Sequence, residues 1–185
     1  MRNEIKSKQT KDKILNAALN LFSKNGFEAT SIRDISKEAN ISLGLLYNYY
    51  VSKNELLKEI FNKSFEQIKS SFEIIDSDDP IKNFDLYLSN TFEIVKKNKE
   101  FWKLMHSIRV SENVINILKS EYEEISLFII NKLESHINKI KFSSPLNPMF
   151  LFAMIDGVIS HYLILENYPI QEMKTNILDY IKSKK

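Results

Sequence analysis

The residue types that carry catalysis are thin in this chain. Its 185 residues include three histidines and no cysteine, so no thiol nucleophile and no disulfide framework exist. His106, His136 and His161 are too scattered in sequence to form a metal-ligand motif. Asp156 and His161 stand about 140° apart around a helix and do not converge. No glycine-rich phosphate loop occurs. Catalysis is therefore not expected, and neither a cofactor nor a metal is implied.

Hydrogen-bonding groups of another kind are dense between Thr30 and Leu57, in TSIRDISKEANISLGLLYNYYVSKNELL. Ser31 precedes Asp34 by three residues, and Ser52 precedes Glu55 by three. Each pair reads as a helix N-cap with an acid near the positive end of the helix. Ile32, Ile35 and Ala39 form one buried stripe on a helix of about two turns. Asn40-Ile41 breaks that helix, and Ser42 can cap a second short one running through Tyr49. Two short helices joined by so tight a turn make a helix-turn-helix, whose second helix enters the major groove of DNA.

The rest of the chain has to position that pair. Hydrophobic residues make up 43% and charged residues 27%, the balance of an ordinary globular protein. With 3 Gly and 4 Pro, the first proline being Pro80, and no convincing alternating strand, an all-α fold is expected. No apolar run approaches a membrane span and the basic start lacks a signal-peptide core, so a cytoplasmic protein is expected. The net charge is only +2. Residues 1–60 carry ten basic and seven acidic side chains, which puts a mildly basic front on a near-neutral body.

The first helix reads Thr10 to Lys24, with Ile14, Ala17, Ala18, Leu21 and Phe22 on one face and Gly26 where a left-handed C-terminal cap is wanted. A long helix opens at Ser52 and carries its apolar face down to Phe72. Asp76-Ser77-Asp78-Asp79-Pro80 breaks the chain. Helices follow over about Ile81 to Lys97, Glu100 to Arg109, Ser111 to Ile140 and Met149 to Glu166, and a last amphipathic helix uses Ile170, Met173, Ile177 and Ile181. The Met149–Glu166 segment is apolar almost all round, so burial on more than one side is expected.

Ala18, Leu21, Phe22, Gly26-Phe27, Thr30-Ser31-Ile32-Arg33-Asp34-Ile35, Ala39, Ile41-Ser42, Gly44, Leu46-Tyr47, Tyr49-Tyr50, Ser52-Lys53 and Glu55-Leu56-Leu57 together resemble the tetracycline-repressor (TetR) family of transcriptional regulators. Further along, Glu100-Phe101-Trp102 and Asp156-Gly157 resemble recurring features of the family's bodies. The resemblance implies a three-helix DNA-binding head over 1–52 and a helical body over 53–185 that binds a small-molecule effector and forms a homodimer. It implies no membrane partner. A helical ligand-binding or interaction protein without DNA binding is the alternative.

The resemblance also places the recognition helix at about Leu43 to Tyr49. Gly44 lets its first turn lie close to a phosphate or base edge. Tyr47 and Tyr49 bring hydroxyls to phosphate oxygens, where neutral donors fix register. Lys53 adds a charge at the next helix start, and Thr30, Ser31 and Ser42 complete the expected contact set. Leu46 and Tyr50 read as core. Leu43 and Leu45 stand where many family members carry charged or small polar residues. Asn48 alone has an amide suited to adenine, and leucines can meet thymine methyls, so an A·T-rich half-site is expected.

In the body, two-fold pairing through the last two helices is implied, with Asp156, Gly157, Ile177 and Ile181 as interface residues. Gly157 would allow close helix approach, at about 1 kcal/mol of helix propensity relative to Ala. Candidate effector-binding residues are Phe84, Trp102, Met105, His106, Phe128, Phe152 and His161. Their aromatic bias suggests an apolar or amphipathic effector, while the two-fold symmetry implies a near-palindromic operator and the resemblance implies repression relieved when the effector binds.

Overall fold

The computed structural model describes residues 2–71 and 77–185, and every regular element among them is a helix. In chain order these are α1 (Arg2–Asn25), α2 (Ile32–Glu38), α3 (Leu43–Tyr47), α4 (Lys53–Ser71), α5 (Pro80–Lys97), α6 (Lys99–Ile108), α7 (Glu112–Ile117), α8 (Lys119–Ile137), α9 (Pro148–Ile164) and α10 (Ile170–Ser183). Phe72 and Asp76, singled out in the sequence, lie outside the described residues.

Most helix boundaries follow from local signals. Gly26 takes φ 85°, its N–H reaches the Phe22 carbonyl at 3.0 Å, and the Phe22 and Phe27 rings meet at 5.0 Å. That is a left-handed cap with its accompanying apolar contact. Asp79 caps α5 by accepting from the N–H of Ile81 at 2.9 Å, and Asn147 caps α9 by accepting from Met149 at 2.8 Å.

Two expectations change. α1 begins at Arg2 rather than Thr10, because its first turns hold straight-chain helix formers and no breaker. The long helix expected over Ser111 to Ile140 is two helices. Leu118 sits between them at φ −111° and ψ 17°, its N–H turned to the Ile115 carbonyl at 3.1 Å, and that bend leaves its side chain fully buried.

Packing divides the chain into two compact units. The first takes in Met1–Glu66 and Glu100–Glu121, so it extends past residue 52, where the sequence suggested a boundary. Ile14, Ala18 and Phe22 of α1, Ile35 of α2, Leu46 of α3 and Leu56, Leu57 and Phe61 of α4 are buried in it. Phe61 meets Phe101 of α6 edge-on at 6.1 Å. Ion pairs Lys11–Glu59 and Asp12–Lys63, each at 2.5 Å, run between α1 and α4. The Lys63 hydrogen bond holds the Asp12 carboxyl below the usual carboxylate range.

The second unit takes in Gln67–Lys99 and Tyr122–Lys185. Its core includes Phe84, Tyr87, Leu88 and Phe92 of α5, Leu133 and Ile137 of α8, and the α9 stripe Leu151, Ile155, Ile159 and Leu163. The Lys174 ammonium of α10 donates to Asp85 at 2.7 Å and to Ser89 at 2.8 Å, both on α5.

Candidate nucleic-acid interface

Reciprocal bonds open α2, and a second set closes it into the turn before α3. Ser31 Oγ accepts from the Asp34 N–H at 3.1 Å, and the Asp34 carboxylate accepts from the Ser31 N–H at 3.1 Å and its hydroxyl at 2.5 Å. These bonds hold the Asp34 carboxyl below its ordinary range. At the other end of α2, Asn40 adopts φ 53°, its N–H reaches Lys37 O at 3.0 Å, and the Ile41 N–H reaches Ser36 O at 3.0 Å. Those two bonds form a Schellman closure with Asn in the place glycine usually takes. Ser42 then caps α3 by accepting from the Leu45 N–H at 3.2 Å.

This closure fixes which face of α3 is free. Leu46 and Tyr50 point inward, and Leu43 on their flank is half-buried. Gly44, Leu45 and Asn48 share the opposite stripe, with Tyr47 beside it at 50% exposure. A Cβ built on Gly44 would have no neighbour within 4 Å, so nothing in the chain itself demands a glycine there. Tyr49 is half-buried and donates its hydroxyl to Ser7 of α1 at 3.3 Å, which ties the end of the recognition segment to the N-terminal helix.

Two expected contact residues are turned inward. Thr30 is 2% exposed and its hydroxyl donates to the Gly26 carbonyl at 2.8 Å. Lys53 donates to the carbonyls of Phe27 at 2.8 Å, Glu28 at 3.2 Å and Thr30 at 3.1 Å, and its ammonium lies 4.4 Å from the centre of the Phe27 ring. An ammonium has three N–H donors, and all three are used. In this conformation Thr30 and Lys53 hold the loop between α1 and α2 and have no donor left for a phosphate. Sequence reasoning missed the Lys53 clamp because its partners are backbone carbonyls more than twenty residues away.

An open groove of about 420 Å³ runs beside the turn, lined by Lys13, Asn16, Ala17, Asn20, Glu38, Ala39 and Asn40. None of the seven expected effector-binding residues lines it. Of these, Met105 is buried in the first unit, with Trp102 and His106 half-buried. Trp102 Nε1–H finds no acceptor among the described residues. In the second unit Phe84 is fully buried, and Phe128 and Phe152 are half-buried. His161 is exposed, bonded through Nδ1 to the Gly157 carbonyl at 2.7 Å and stacked on Tyr168 at 5.8 Å.

The expected interface residues separate as well. Asp156 and Gly157 lie on α9, half-buried, and a Cβ on Gly157 would meet nothing within 4 Å. Ile177 and Ile181 are 3% and 0% exposed, inside the core of their own chain. They are not available to a second copy, because α10 spends its single apolar stripe on α5 and α9. Among the described residues no three His, Asp or Glu side chains could hold a metal, and no helix is long and apolar enough to cross a membrane.

Residues 14–60, which contain the whole turn, match the family model of bacterial regulatory proteins of the tetR family. That match makes the head TetR-type. It is 32% identical over 91 residues to the HTH-type transcriptional repressor KstR of Rhodococcus jostii, a match covering 49% of this chain and 43% of that protein. It is 26% identical over 151 residues to the HTH-type transcriptional regulator UidR of Escherichia coli K12, covering 78% and 74% of the two chains. A TetR-family regulator structure from Syntrophomonas wolfei superposes with a TM-score of 0.75 at 26% identity, over 96% of this chain and 95% of that one. A TetR regulator from Haloarcula marismortui, at 16% identity, shares the fold with a TM-score of 0.80 over 96% and 98% of the two chains. These relatives are named as regulators and not as enzymes. The TetR-type head therefore carries the family match, and its turn is the candidate contact surface.

Proposed function

We propose that this TetR-type regulator binds a near-palindromic operator as a homodimer and represses until a small apolar or amphipathic effector enters its body. The observation that carries the dimer is the outer stripe of α9. Opposite the buried Leu151, Ile155, Ile159 and Leu163 lie Phe150, Ala153, Gly157 and Ile164, with Phe150 49% and Ile164 66% exposed. A contiguous apolar stripe left in water marks an interaction surface. Small residues at 153 and 157 would let a second helix come close. Phe150 also meets Tyr180 of α10 at 6.0 Å, which gives the last two helices a shared outer edge in place of Ile177 and Ile181.

An isologous pairing places two recognition helices about a two-fold axis, and near-palindromic DNA matches that symmetry. An effector would release the DNA by favouring a head spacing the operator does not fit, through a coupling of roughly 1–3 kcal/mol. Repression is supported by the name of the KstR relative. A ligand carrier that never touches DNA is not favoured, because the family match falls on the head.

Sedimentation and gel shift with the DNA upstream of the protein's own gene test the reading together. Gly157→Arg is expected to sediment as a monomer and to lose most of its affinity, since the open space around Gly157 lets the single chain accommodate the new side chain. An intact dimer would remove α9 from the interface. A chain that shifts no upstream fragment would remove the operator. Trp102 is the single tryptophan, so lipophilic cations and acyl compounds can be screened by its fluorescence, and silence across both classes would count against such an effector.

A further inference from the structure

Residues 39–52 contain no Asp, Glu, Lys, Arg or His, so the recognition segment offers no cation to a guanine edge. Of its polar side chains, Tyr47 and Asn48 stay exposed, and others are committed. The Ser42 hydroxyl oxygen caps α3, the Tyr49 hydroxyl is on Ser7, and Lys53, the first cation after the segment in the sequence, is spent on three carbonyls. What the outer stripe presents is the side chain of Leu45, 38% exposed, with Gly44 before it and the Asn48 amide one turn on.

The geometry points to Leu45 as the specificity-determining residue: it reads the C5-methyl of one thymine in each half-site. This rests on α3 being the recognition helix. In the major groove thymine alone carries a methyl group. Cytosine has a hydrogen at the same place, and both purines present polar atoms. An isobutyl group laid on a purine N7 or a cytosine amine strips water from it and returns no hydrogen bond, so those bases are disfavoured. Gly44 adds no bulk between backbone and groove. Leu43, the other leucine in the segment, is half-buried on the inner flank and serves packing. Asn48 lies three residues further, about 4.5 Å along the axis, against a base-pair rise of about 3.4 Å. It therefore meets the neighbouring pair, where its amide suits adenine N6 and N7. The half-site then holds two adjacent A·T pairs at its centre, a narrower statement than general A·T richness.

The test starts with duplexes selected from random DNA by the full-length protein. Each thymine in the preferred half-site is replaced by deoxyuridine, which removes the methyl and keeps the base pair. The expected result is one sensitive position per half-site, weakening binding about four-fold, or roughly fifteen-fold when both half-sites are changed. Leu45→Ala should bind the thymine and deoxyuridine duplexes equally. Leu45 is exposed, so this variant should keep the wild-type unfolding temperature. Binding unaffected by deoxyuridine anywhere, a half-site core without thymine, or undiminished sensitivity in Leu45→Ala would each overturn the assignment while leaving the regulator reading in place. A protein that selects no DNA at all would remove both.

Discussion

Replacing Lys53 by Met tests whether this ammonium belongs to the head's interior or to its contact with DNA. Hydrogen bonds to a charged group are each worth about 1.5–3 kcal/mol. The three at Lys53 do not add in full, because Glu28 is exposed and water can take over at its carbonyl. The ammonium over the Phe27 ring contributes about 0.5–1 kcal/mol more. Together roughly 2–4 kcal/mol is at stake. For a chain of this size, about 2–4 °C of unfolding temperature accompanies each kcal/mol. The variant should therefore unfold about 4–16 °C below the wild type when followed by circular dichroism. Its DNA affinity, measured well below that temperature from about 50 to about 300 mM salt, across which the Debye length falls through about 10 Å, should keep the wild-type slope of log K against log salt. A phosphate contact would instead remove about 0.9 from that slope per protomer. An unchanged unfolding temperature together with the shallower slope would refute the clamp.

Asn40 sits at φ 53°, so Asn40→Ala should cost about 1–2 kcal/mol, while Asn40→Gly should be neutral or better; equal unfolding temperatures for the two would contradict the Schellman closure. Burial keeps the His136 imidazole below its ordinary pKa, with Lys139 and Lys132 adding to the effect, and its ring lies 4.8 Å from Tyr87. The unfolded chain then binds a proton that the folded chain refuses. This histidine costs stability as pH falls through about 6.5 and costs nothing above it. His136→Phe keeps a ring against Tyr87 and should lose less stability than wild type in denaturant titrations taken from pH 7.5 to pH 5.5, a range spanning the ordinary histidine pKa of about 6.5. A constant difference across that range would rule out the desolvated imidazole. Ser31→Ala removes one side of the capping box and should lower stability by about 1 kcal/mol in the same assay.

The parts of this protein that could be read from its sequence are those governed by neighbours three or four residues away. Ser31 with Asp34, Ser42 before α3, Gly26 after α1 and the break at Asn40-Ile41 all depend on bonds closed within one turn, so the helix-turn-helix and the all-α class were legible. So was the inward set Leu46 and Tyr50, since a helix repeats its face every 3.6 residues. Which polar groups stay free was not legible. Thr30 and Lys53 have the chemistry of phosphate ligands, but the Thr30 hydroxyl is spent on the Gly26 carbonyl four residues back and Lys53 on carbonyls brought near by folding. Ile177 and Ile181 form a proper apolar stripe, yet only the packing of α10 on α5 and α9 determined that the stripe is used within the chain. Periodicity shows that a face is apolar and leaves open what covers it. The tertiary structure answered that for α10 and left the outer stripe of α9 uncovered. It also left Leu45, an apolar side chain, on the outer face of the recognition helix.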